Sequence, residues 1–148
     1  MLCTAMQHSD SLQLIAGLDQ LAAIREFVQQ EATRLGVDQS TIDDLLLAVT
    51  EVVTNSIEHG YNGQPGPITI EIDADSASVL VSVSDQAPPF DPRLGPLPDL
   101  SVPPQLRPPG GLGLYLIWSI TDELRYDPLP EGGNKTCLVK RRISAAVT

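Results

Sequence analysis

Basic residues are scarce in this sequence. Nine Lys and Arg stand against 19 Asp and Glu, a net charge of −10 over 148 residues. Contacts to nucleic-acid phosphates and to anionic lipid need Lys and Arg, so direct nucleic-acid and membrane-surface binding are excluded. Long apolar runs are also missing, and none approaches the roughly 20 residues of a membrane span. The N-terminus has no basic stretch leading into an apolar one, so no secretory signal is expected and the cytoplasm is the expected location. Cysteine is limited to Cys3 and Cys137. The pair has no metal spacing and fits a reducing compartment better than a disulfide framework. The two histidines, His8 and His59, are too few for a zinc site, and neither sits in a Ser–His or Cys–His signature.

The remaining composition, 42% hydrophobic and 19% charged, is that of one globular domain over residues 1–148. Ser11 to Ala16 alternates loosely and predicts a first strand. Leu18, Leu21, Ala22, Ile24, Phe27, Val28 and Leu35 have helical spacing, with Gly36 as the stop. A second helix is expected from about Ser40 to His59, started by the Ser40–Asp43 stretch and ended by Gly60. Its stripe of Ile42, Leu46, Val49 and Val53 faces a core, with Asp44, Glu51, Asn55 and Glu58 opposite. Strands are expected at Ile68–Asp73, Val79–Ser84, Thr121–Tyr126 and Thr136–Arg142, and an apolar helix start at Leu114–Ile120. Between the third strand and that helix the composition breaks. Nine of the 13 prolines lie from Pro88 to Pro109, a density that no helix or central strand accepts. A loop this long in a small domain points to function.

Four features could carry chemistry, and each is weak alone. Glu51 and Asn55, four apart, share a helix face; Asn offers a neutral oxygen to a hard cation, and Glu can take a proton. A solvated polar face explains the same spacing. Asp85, at a strand end, can accept from an amine or cap a turn. Gly110, Gly111 and Gly113 before an apolar helix allow backbone amides to approach phosphate, or simply form a hinge. Gly133-Asn134-Lys135-Thr136 lacks the upstream spacing of a P-loop.

The order of these features is more specific than any one of them. Glu51 to Tyr61 (EVVTNSIEHGY) resembles the N-box of the histidine-kinase-like ATPases, the GHKL or Bergerat superfamily. Asp85 to Pro92 (DQAPPFDP) resembles their G1 box, and Gly110 to Ile117 (GGLGLYLI) their G2 box. The small size, the His-Gly-Tyr after the N-box and the Pro-Phe-Asp-Pro element are most similar to the bacterial anti-sigma-factor serine/threonine kinases. The resemblance spans about residues 11–142.

That resemblance implies an α/β two-layer sandwich: a mixed, mainly antiparallel sheet with helices on one face. It implies ATP and Mg²⁺ as cofactors. Glu51 would be the general base toward a substrate serine, and Asn55 would hold Mg²⁺. Asp85 would bind the adenine amine, helped by Thr136 through water. Ala87 and Phe90 of the G1 box, with Gly110, Gly111, Leu112 and Gly113 of the G2 box, would line the nucleotide. Residues 86–110 would form the ATP lid, and Arg107 within it would neutralise phosphate charge. The implied partners are a STAS-domain anti-anti-sigma protein, a sigma factor and a second copy of the chain, paired through Ser11–Ala16. One residue departs from the pattern: the family's G1 box has Gly two positions after the Asp, where this chain has Ala87. A methyl there can crowd the base. With the proline-dense lid, it keeps open a second reading: a non-catalytic module, nucleotide-binding or nucleotide-independent, acting by partner sequestration alone. A detached histidine-kinase catalytic domain is a third reading, disfavoured because no helical hairpin with a phosphoacceptor His is present.

Overall fold

The computed structural model describes residues 11–94, 101–103, 105 and 117–142. Strand β1 (Ser11–Ala16) leads through a single 3₁₀ turn (Leu18–Gln20) into helix α1 (Leu21–Arg34) and then helix α2 (Gln39–Asn55). Strands β2 (Gly66–Ala74), β3 (Ser78–Asp85), β4 (Glu123–Pro128) and β5 (Asn134–Arg141) follow. They form one sheet in the order β1-β2-β3-β5-β4. The sheet expected as mixed and mainly antiparallel is antiparallel at every described pairing.

The period-two pattern decides which face is which. Ile68, Ile70 and Ile72 of β2, Val79, Val81 and Val83 of β3, and Leu138 of β5 join the core beneath the helices. From the helix layer, Ile24, Val28 and Ala32 of α1 and Ile42, Leu45, Val49 and Val53 of α2 meet them. Leu80, Cys137 and Val139 form a separate apolar cluster on the opposite face. Cys137 is buried there, with the Ser82 hydroxyl 3.7 Å from its sulfur. Cys3 lies outside the described residues.

The start of α2 also differs from expectation. Asp38, not the Ser40–Asp43 stretch, is its N-cap: one carboxylate oxygen accepts from the Thr41 amide at 3.0 Å. Burial pushes this carboxyl up, but bonds from the Thr41 amide and from the Ser40 and Thr41 hydroxyls outweigh it, leaving a pKa of about 2. Gly36, at φ +80°, supplies the left-handed residue after α1, as expected. Arg142 ties this corner to the sheet, donating to the Gly36 carbonyl at 2.6 Å and to that of Asp75 at 2.7 Å.

Candidate functional site

The far end of α2 is where structure and sequence expectation separate. The α-helix stops at Asn55, and one π-helical turn, Ser56–Gly60, carries the chain on to Tyr61. A π turn widens the helix locally and recurs at functional sites. Here it places Ser56 against the end of β3. The Ser56 hydroxyl donates to Asp85 Oδ2 at 2.7 Å, and both residues are buried.

Asp85 is the centre of this end of the molecule. Its Oδ1 accepts from the Ala87 amide at 3.0 Å and from Asn134 Nδ2 at 2.8 Å. A carboxylate offers about four acceptor positions. Among the described residues three are taken, by Ser56, Ala87 and Asn134, all donors, so one position on Oδ2 remains. Asn134 reaches Asp85 because the two are register partners at the ends of β5 and β3. The close approach requires glycine next door. Gly133 has φ +113°, and a Cβ there would lie 2.1 Å from the Asp85 carbonyl oxygen.

Tyr61 braces the same corner from the other side. Its hydroxyl donates to the Pro67 carbonyl at 2.6 Å and accepts from the Gln86 amide at 2.7 Å. Burial raises its pKa, as does the charge of Asp85, against the opposing Gln86 amide bond.

The residues singled out in the sequence fall as follows. Asp85 is buried and turned toward the helix layer. Asn55 is the last residue of α2 and immediately precedes Ser56, which brings the N-box asparagine to the Asp85 end of the sheet. Glu51 lies one helical turn earlier and is half-buried. Thr136 is buried on β5, opposite Val83 of β3 and Tyr126 of β4, on the same face as Asn134 but one pleat deeper. Ala87 is buried at 3% exposure, with its methyl turned against Gly60 of the π turn. Phe90 is exposed at 61%, although its amide is held by Asn134 Oδ1 at 2.8 Å. Arg107, Gly110, Gly111, Leu112 and Gly113 lie outside the described residues, as does much of the expected lid.

Ser56, Tyr61 and Asn134 shape this corner, although no motif assigns them a role. Ser56 and Tyr61 lie inside the N-box stretch. Asn134 follows the Gly132-Gly133 pair, and that pair was the only local signal of a backbone passing close to something. Among the described residues, no group of three or more His, Cys, Asp or Glu is placed to hold a metal ion. No helix among them is long and apolar enough to cross a membrane.

The histidine kinase-like ATPase domain family matches residues 14–140. The chain belongs to that family. Relatives within it include the serine-protein kinase RsbW of Listeria monocytogenes, 32% identical over 126 residues, covering 81% of this chain and 80% of the relative. The serine-protein kinase RsbW of Bacillus cereus is 30% identical over 119 residues, covering 77% of this chain and 74% of the relative. Among solved structures, the RsbU and RsbW domains of Rv1364c from Mycobacterium tuberculosis align with a TM-score of 0.56 at 21% identity. That alignment takes in 92% of this chain and 33% of the longer one, and it speaks for the fold alone. A histidine kinase-like ATPase domain uses ATP, and the Asp85 corner suits a base. It is a buried acceptor whose partners among the described residues are all donors, with one position to spare.

Proposed function

We propose that this chain is an ATP-dependent serine/threonine protein kinase acting as a cytoplasmic anti-sigma factor. It phosphorylates a STAS-domain anti-anti-sigma protein and sequesters a sigma factor. The observation that carries this reading is the joint placement of Asn55 at the end of α2 and the donor-ringed Asp85 at the end of β3, bridged by Ser56. Similarity to RsbW kinases over about four-fifths of the chain supports the protein-kinase class within the family.

The roles follow from the chemistry of each group. Asp85 accepts from the adenine amine through its remaining Oδ2 position, and buried Thr136 helps to hold the water beside it. Asn55 supplies a neutral oxygen ligand to Mg²⁺. When bound, MgATP supplies the phosphoryl group and much of the charge neutralisation that its transfer needs. Glu51, half-buried on the same helix, takes the proton of the substrate serine. Phe90, exposed beside this corner, lines the base side, and Arg107 with Gly110, Gly111, Leu112 and Gly113 serves the phosphates. Among the described strands β1 is an edge, bonded to β2 alone, and its other side is the surface for a homodimer. The rival reading, a sequestering module without catalysis, rests on Ala87 and on the proline-dense lid; the Ala87 methyl packs against Gly60 rather than standing free.

Calorimetric titration with ATP, with and without Mg²⁺, combined with a phosphotransfer assay on a purified STAS partner, tests the proposal. Wild type binds ATP more tightly with Mg²⁺ and yields phosphoserine. Glu51→Gln keeps ATP binding and loses transfer by about 10²-fold or more. Transfer unchanged in Glu51→Gln refutes the assigned base. Partner binding indifferent to ATP, without phosphoserine, returns the chain to the sequestering reading.

A further inference from the structure

Asn134 makes more side-chain hydrogen bonds than any described residue that the sequence motifs point to. Its Nδ2 donates to Asp85 Oδ1 at 2.8 Å, and to the carbonyls of Pro88 at 3.2 Å and Ala87 at 3.3 Å. Its Oδ1 accepts from the Phe90 amide at 2.8 Å and from the Tyr126 hydroxyl. Only one orientation of the amide satisfies this set, because a flip would turn an oxygen toward three acceptors. Pro88 and Pro89 have no N–H, so the two backbone donors in residues 87–90 belong to Ala87 and Phe90. One goes to Asp85 and the other to Asn134. A single buried carboxamide therefore joins the carboxylate at the base end of the site to the first residues of the proline-rich connection.

We propose that Asn134 is a positioning residue for nucleotide selection. It locks Asp85 in the rotamer that leaves one Oδ2 acceptor position open, and it ties residues 87–90 to that rotamer. The inference rests on the nucleotide reading above and deepens it. With Oδ1 held by Ala87 and Asn134, the carboxylate cannot turn away from a ring that presents an oxygen in place of an amine, and the two acceptors repel. Discrimination then comes from the fixed geometry. Without the Nδ2 donor, Asp85 keeps only the Ser56 and Ala87 bonds, gains an open acceptor position that can recruit water, and rejects a 6-oxo purine less strongly.

Competition binding with ATP and ITP, which differ at the 6-position, reads this directly in wild type, Asn134→Ala and the shape-conserving Asn134→Asp. Wild type favours ATP. In both variants the ITP-to-ATP ratio of dissociation constants falls by about tenfold or more, the size of one misdirected hydrogen bond. A merely structural role weakens both nucleotides together and leaves the ratio unchanged. In amide hydrogen exchange, ATP slows the Ala87 and Phe90 amides of wild type and not those of Asn134→Ala. An unchanged ratio in both variants overturns the inference while leaving the nucleotide reading intact. Failure of wild type to bind either nucleotide overturns both.

Discussion

The methyl of Ala87 occupies the space that a side chain on Gly60 would claim: a Cβ built on Gly60 falls 2.7 Å from the Ala87 Cβ. Gly60 does not need glycine for a left-handed backbone; its neighbour imposes it. The G1-box departure and the end of the π turn therefore form one packing unit. Gly60→Ala is expected to destabilise the fold by about 1–3 kcal/mol through overpacking. In a double-mutant cycle followed by urea denaturation, Ala87→Gly added to Gly60→Ala should recover part of that loss. Strictly additive effects would show that the two residues do not share the space.

Asn55 leads to a prediction separate from catalysis. It is the terminal residue of α2 and half-buried, so truncation costs little packing. Asn55→Ala should leave the thermal midpoint within a few degrees of wild type and remove the Mg²⁺-dependent gain in ATP affinity seen by calorimetry. Retention of that gain would place the cation ligand elsewhere.

The helix cap has its own acid signature. Asp38 sits at about 2 when folded, against an ordinary value of 3.8. A depressed carboxyl contributes stability above its unfolded pKa and loses it as pH falls toward the folded one. The contribution is full near neutrality and fades between about pH 4 and 2. Asp38→Ala should cost about 1 kcal/mol at pH 7, typical of a lost N-cap, and much less at pH 2. Urea midpoints at the two pH values measure this.

Much of the fold was legible because burial writes itself into period. The alternation of Ile68, Ile70 and Ile72, and of Val79, Val81 and Val83, marked β2 and β3, and both strands exceed their expected bounds by one or two residues at an end. The cap carries no periodic signal, because Asp38 stands four residues before Ile42, where the apolar pattern begins. The π turn was invisible because α and π backbones share the same local composition. The candidate site divides in the same way. Glu51, Asn55 and Asp85 stood out by motif. Asn134 gains its role only when the β3–β5 register sets it beside Asp85, 49 residues away in sequence. No local pattern encodes that pairing.

Tyr61 should make the protein sensitive to alkali. Burial, followed by the negative charge of Asp85, holds its phenol protonated above the ordinary value of 10, despite the opposing Gln86 amide. In the unfolded chain the phenol releases its proton near 10. Above that pH the unfolded state binds fewer protons than the folded one, so stability falls as pH rises. Tyr61→Phe removes this group's share of the slope, and Tyr126, raised in the same direction by burial, keeps its own. At neutral pH the substitution leaves the Pro67 carbonyl without its donor and the Gln86 amide without its acceptor, a loss of about 1 kcal/mol. Urea unfolding from pH 8 to 11 should therefore show Tyr61→Phe less stable than wild type at pH 8, with the gap narrowing toward pH 11. Parallel curves would mean that the Tyr61 phenol titrates alike in the folded and unfolded chains.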